Sequence, residues 1–186
     1  MINIFMLPDK IFFTGVPGSR WSGIAQETKL LPGFNTSDRA EHRVYVHGEF
    51  SGHKDSYFGT GMEFPACPAE GGLTEHNLAA PFSDTEGCKL LMSHEWPYYF
   101  NEILALYPTA WIQLVYRPDW PSFLWWKKAG GFDITYPNYE WYRNDVQMRY
   151  RIEEMNELIL DFAQQHQLQW TQHHKHADIF IATYKP

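Results

Sequence analysis

The chain reads as a three-layer α/β domain, a parallel sheet flanked by helices, on three observations. Short apolar runs recur at Ile11–Thr14, Lys89–Ser93 and Trp111–Tyr116, each bounded by turn residues. Segments of helical periodicity separate them, and the first run turns through Gly, Pro and Ser directly into a helix start. Apolar runs without alternation are the mark of strands buried on both faces, and strands alternating with helices make parallel sheets covered on both sides. A length of 186 residues suits one domain, residues 1–186, with a core large enough to need no cross-links.

The first strand, Ile11–Thr14, is followed by a helix from about Ser22 to Leu31, which Pro32-Gly33 stops. Between Thr36 and Gly87 the pattern is lost. One strand is expected at Arg43–His47, and the rest is rich in Gly, Pro and acids through Gly61, Pro65, Pro68, Gly71-Gly72 and Pro81. An irregular stretch of this length (36–87) in a compact domain reads as a functional insert on the substrate side, or a gate. Order returns with the strand Lys89–Ser93 and a helix over Tyr98–Tyr107, opened by Pro97 and ended by Pro108. Trp111–Tyr116 is the third core strand. Pro118 and Pro121 then open a helix to about Ala129, broken by Gly130-Gly131. Over Tyr139–Gln167, Ile152, Met155, Ile159, Phe162 and His166 recur at three- and four-residue steps, which predicts the longest helix with one apolar face. Asp178–Tyr184 closes the chain as a strand, with Leu168–Thr171 a possible partner. No internal repeat or low-complexity tract is present.

Composition narrows the function. Aromatic residues make up 17% of the chain, with 8 Trp, so some rings are expected to line a pocket. A formal net charge of −7 argues against nucleic acid as the main partner, because a phosphate backbone demands a basic face. Cys67 and Cys88 are too few for a disulfide framework and read as free thiols of a reducing compartment. Met1–Pro8 lacks the basic start and apolar length of a signal peptide, and no run approaches the ~20 apolar residues of a membrane span. A soluble, cytoplasmic protein without membrane contact is the expectation.

Ligands of such sheets bind outside the carboxyl ends of the strands. After the first strand comes Gly15-Val16-Pro17-Gly18-Ser19-Arg20-Trp21-Ser22, a strand-turn-helix run that can cradle an anion. Backbone N–H groups converge there, the helix dipole adds positive potential, the glycines allow close approach, and Ser19, Ser22 and Arg20 add donors. An ordinary βα turn is the plainer alternative. The Lys-Ser/Thr pair of a Walker loop is missing after Gly18, and the spacing of Gly15, Gly18 and Gly23 does not fit a dinucleotide fingerprint. After the second strand come His94 and Glu95, and after the third Arg117. Trp21, Trp125 and Trp126 are candidates to stack on a base, or core residues.

Elsewhere, His173, His174, His176 and Asp178 resemble a metal cluster, but adjacent strand residues point to opposite faces and Lys175 repels a cation. They read as surface residues. Glu63, Glu70, Glu75, Asp84 and Glu86 read as a solvated loop. The aromatic run Phe132–Tyr142 suits either an acceptor-binding lip or packing on the long helix.

Three blocks, in order, resemble the sulfotransferase family, whose members have a P-loop-like fold. Phe13-Thr-Gly-Val-Pro-Gly-Ser-Arg-Trp-Ser22 looks like the family's loop for a 5′-phosphosulfate. Lys89-Leu-Leu-Met-Ser-His94 looks like the strand that ends in the catalytic histidine, and Trp111-Ile-Gln-Leu-Val-Tyr-Arg-Pro-Asp119 like the strand and turn that bind a 3′-phosphate. The resemblance implies sulfuryl transfer from 3′-phosphoadenosine-5′-phosphosulfate to an acceptor hydroxyl, releasing adenosine 3′,5′-bisphosphate, with no metal required. His94 would be the general base, Arg20 would steady the moving charge, Ser19 and Ser22 would hold the 5′-phosphate, and Arg117 with Ser122 would serve the 3′-phosphate. A small-molecule or carbohydrate acceptor is expected. Gly18 stands where the family has a basic residue, and Trp125 where it has the serine that partners the arginine. Two other readings stay open: a nucleotide- or phosphate-binding protein without catalysis, and a kinase-like transferase.

Overall fold

The computed structural model describes residues 7–43, 45–47, 50–131 and 139–186. Its main sheet is built around β1 (Lys10–Gly15), which pairs in parallel with β4 (Lys89–Met92) on one side and β5 (Trp111–Tyr116) on the other. Alternate residues of these strands enter two cores. Phe12, Leu91, Ile112 and Leu114 pack with the faces of α3 (Phe100–Leu106) and α5 (Asp145–Gln165). Ile11, Phe13, Leu90, Met92 and Val115 pack with Trp21, Ile24 and Ala25 of α1 (Trp21–Lys29). Burial on both faces is why β1 and β4 are near-continuous apolar runs, while β5 mixes buried Ile112, Leu114 and Val115 with half-buried positions.

The full order is β4-β1-β5-β7-β6, and it corrects the expectation of an all-parallel sheet. β7 (His176–Tyr184) lies antiparallel to β5, and β6 (Thr171–His173) antiparallel to β7. The cause is local. Only His174 and Lys175 separate β6 from β7, and so short a link can join only antiparallel neighbours. The partner of the last strand is therefore Thr171–His173, slightly beyond the segment expected.

The long helix also starts later than its periodicity suggests. Glu140–Arg143 is a 3₁₀ turn, after which the Asn144 side chain accepts from the N–H of Val146 and Gln147, both at 3.0 Å, and opens α5. A side-chain cap of that kind satisfies donors that the first turn leaves over. The predicted face is the buried one: Ile152, Met155, Ile159 and Phe162, joined by Met148 and Asn156.

The stretch 36–87 is part of the body. It holds a backbone hairpin of β2 (Tyr45–His47) and β3 (Phe50–His53), a short α2 (Glu75–Ala79), and loops that pack. Phe58, Ala66, Leu73 and Leu78 belong to the α5-side core, and the Phe58 N–H donates to the Met92 carbonyl at 2.9 Å. Beneath it, fully buried Lys29 of α1 donates to Asp38 at 2.5 Å and Asp55 at 3.2 Å. Arg39 shares Asp55, while the Ser56 N–H and hydroxyl join Lys29 on Asp38 Oδ2. α4 (Asp119–Lys128) follows β5 and packs on α5.

Candidate functional site

Because β1 lies between β4 and β5, the residues that follow all three strands meet at one edge. Gly15 ends β1 tightly: a Cβ there would fall 2.5 Å from Trp21 Cβ and 3.0 Å from the Val115 carbonyl. Gly18 has φ +79°, and a Cβ on it would fall 1.9 Å from the Ser122 carbonyl. Both glycines thus let the loop close onto β5, α1 and the first turn of α4. Gly15, Val16, Pro17, Gly18 and Ser19 are all buried. The Ser19 hydroxyl donates to the Val16 carbonyl at 2.8 Å and so braces the turn. Arg20 is the first residue of the loop to emerge. It caps α1 from the left-handed region (φ +64°), with no side-chain cap and no acid in the helix's first turn. Ser22, half-buried, lies in that turn.

Arg117 binds back onto the protein. Its Nε and Nη2 reach Asp178 Oδ2 at 2.8 and 2.7 Å, and its Nη1 donates to the Gly18 carbonyl at 3.1 Å. The arginine is therefore the tie between the third block and the first. The Ser122 hydroxyl and the Asn156 amide both donate to the Arg117 carbonyl, at 3.2 and 2.9 Å. Asn156, a buried polar residue on the apolar face of α5, is marked in the sequence only by its polarity at a core position.

His94 sits in an aromatic enclosure. Its ring lies 6.5 Å from Trp21, 5.6 Å from Tyr139, 6.0 Å from Trp141 and 6.1 Å from Tyr142. Its Nε2 is 3.4 Å from the Tyr142 hydroxyl and 3.9 Å from Glu95 Oε1. Burial pushes the imidazole below its ordinary value, with the Glu95 charge opposing in part, so the ring is neutral near pH 7. Glu95 is held by the Thr60 N–H and hydroxyl at 3.0–3.1 Å and by the Tyr139 phenol. Burial, with Tyr142 and Glu95, drives the Tyr139 phenol far up, so it stays a donor. Thr60 brings the 36–87 stretch into the site. Tyr139, Trp141 and Tyr142 are the described end of the aromatic run; 132–138 lies outside the described residues.

The tryptophans divide. Trp21 is buried against Tyr57, and Trp126 is buried against Tyr142 and Gly131, so both are core residues. Trp125 is half-exposed, with the Arg20 guanidinium 5.1 Å from its ring centre. The C-terminal histidines form no cluster of metal ligands: His173 stacks on His176 across the hairpin at 5.3 Å, and Lys175 pairs with Glu27 at 3.0 Å. Among the described residues no group of three potential metal ligands occurs. Both cysteines are free, and burial pushes the Cys88 thiol up to about 12. No helix among the described residues is long and apolar enough to cross a membrane.

Comparison with protein-family models, with curated proteins and with solved structures returns no match for this chain.

Proposed function

We propose that the carboxyl edge of β4, β1 and β5 is a group-transfer site of P-loop-like type, moving a sulfuryl group from 3′-phosphoadenosine-5′-phosphosulfate to an acceptor hydroxyl. The observation that carries the reading is the strand order: it makes neighbours of the Gly15–Ser22 loop, His94 and Arg117, three segments far apart in sequence. In the step itself the acceptor oxygen attacks sulfur, the bond from sulfur to the donor phosphate breaks, and adenosine 3′,5′-bisphosphate leaves. The acceptor proton passes to neutral His94 Nε2. The Glu95 charge at 3.9 Å then favours the imidazolium. The start of α1 and Arg20 supply positive potential for the developing charge. Arg117 serves chiefly to hold the loop through the Gly18 carbonyl.

A second reading, binding without transfer, is favoured by Gly18, whose contact with Ser122 leaves no room for the basic side chain found at that position in the resembled family. Labelled-sulfate transfer separates the two. Under the first reading His94→Ala keeps affinity for adenosine 3′,5′-bisphosphate within a few fold while transfer falls by about 10²–10⁴. Full transfer by a folded His94→Ala protein would remove His94 as the base. Binding of the bisphosphate with no transfer by the unaltered chain would leave the second reading.

A further inference from the structure

Arg20 is placed at a cost that no carboxylate among the described residues offsets. It occupies the left-handed region at φ +64°, where glycine is at ease and arginine is strained. It also sits at the N-terminal end of α1, where the helix dipole disfavours a cation. No carboxylate among the described residues pairs with it. Strain of this kind is kept where a site needs it.

Its neighbours point to the need. Around the half-exposed Trp125 ring lie the guanidinium of Arg20 at 5.1 Å, that of Arg117 at 5.8 Å and the ammonium of Lys128 at 5.9 Å. Asp178, on Arg117, is the one carboxylate that meets these three among the described residues. Among the described residues Lys128 has none, whereas the adjacent Lys127 pairs with Asp145 at 2.6 Å. Among the described residues, three cations against one anion leave two uncompensated positive charges, in a chain whose net charge is −7. His176 stands near the same group: burial first, then Arg20 and Arg117, hold its imidazole below the ordinary value against the opposing charges of Asp178 and Glu27.

We infer that Arg20 and Lys128, beside the Trp125 ring, form a binding site for a phosphate-monoester dianion. The double charge selects the class, because a phosphodiester or a sulfate ester brings a single charge and leaves half of the excess unmatched. Arg117 is the positioning residue of this site: Asp178 and the Gly18 carbonyl hold its guanidinium in place. The inference rests on the proposed function only in sharing the sheet edge, and it requires no transfer.

The test titrates the full chain by calorimetry with inorganic phosphate, AMP and adenosine. AMP is expected to bind at least about tenfold tighter than adenosine, and Arg20→Gly and Lys128→Gln each to weaken AMP by about tenfold or more, as loss of a charge-assisted contact does. Lys127→Gln is the control and should leave AMP affinity within about twofold, its charge being an exposed pair with Asp145. Arg20→Gly should melt no lower than the parent, so its loss of binding is not unfolding. AMP binding no tighter than adenosine, or unchanged in both variants, overturns the site. Sulfate transfer with undiminished bisphosphate affinity in Lys128→Gln overturns it while leaving the transfer reading intact. Phosphate binding that both variants weaken, in a chain that transfers no sulfate, does the reverse.

Discussion

Two nearby loop positions have left-handed backbones for opposite reasons. Gly18 is obligatory to the fold: its φ is +79°, and any Cβ meets the Ser122 carbonyl of α4, a backbone atom that cannot step aside. Gly18→Ala is therefore expected to lose about 2–4 kcal/mol, from αL strain together with overpacking, read as a lower denaturant midpoint at unchanged slope. Retention of the parent midpoint would mean that the loop does not pack on α4. Arg20, two residues on, has φ +64° and serves no packing need that glycine would fail. The two glycines of the motif were legible as sites needing no side chain. Their neighbour across the gap was not, because Ser122 lies about a hundred residues away in the chain and nothing local announces the contact.

Among the elements, α5 shows how far a pattern carries and where it stops. The three- and four-residue spacing identifies the buried face from Ile152 to Phe162 without any tertiary information. The start is set by chemistry that periodicity ignores: Asn144 takes two backbone N–H groups, and the aromatic residues before it, Tyr139 to Tyr142, turn away to enclose His94. Asn144→Ala should cost about 1 kcal/mol. Because the 3₁₀ turn just upstream presents Tyr142 to His94, the same change should also loosen the 3.4 Å approach of the phenol to Nε2. Hydrogen exchange that speeds at Val146 and Gln147 in the variant is the expected signature; unchanged exchange there would show the cap to be dispensable. The 36–87 stretch illustrates the converse. Its Gly- and Pro-rich composition reads as loop, yet Phe58 and Leu78 are core residues and Lys29, Asp38 and Asp55 are sealed beneath it.

For the molecule as a whole, buried titratable groups set the response to acid. His94 is held below its ordinary value near 6.5 by burial. As pH falls through that value the unfolded chain takes up a proton that the folded chain refuses, so stability declines; His173 and His176, lowered likewise by burial first, act in the same direction. A second loss follows at lower pH. Burial raises the Asp55 carboxyl, but Lys29 and Arg39 outweigh it and hold it below its ordinary 3.8; its stabilisation is present above that value and vanishes as pH falls through the lower folded one. Urea midpoints should accordingly fall between about pH 8 and about pH 5, and fall again on further acidification. His94→Gln should make the first limb shallower, leaving the shares of His173 and His176, and leave the second. A flat profile above about pH 5 would mean that His94, His173 and His176 take up their protons as readily folded as unfolded.

The three core strands and the residues at their carboxyl ends could be read directly, since strands buried on both faces are mostly apolar along their length and a strand end must be followed by a turn. The face of α5 was legible for the same reason: burial imposes a period. Partners across the sheet were not. That β7 runs antiparallel to β5 brings Asp178, near its start, beside Arg117, just past the end of β5. In a parallel sheet the same aspartate would lie at the opposite edge, and Arg117 would face any ligand unpaired. Likewise the Glu95 clamp by Thr60 and Tyr139, and the cations gathered on Trp125, depend on which strands and helices adjoin. Local pattern reports how deeply each residue is buried. Which charge it meets there depends on strand order and direction, and those are settled by contacts between distant parts of the chain.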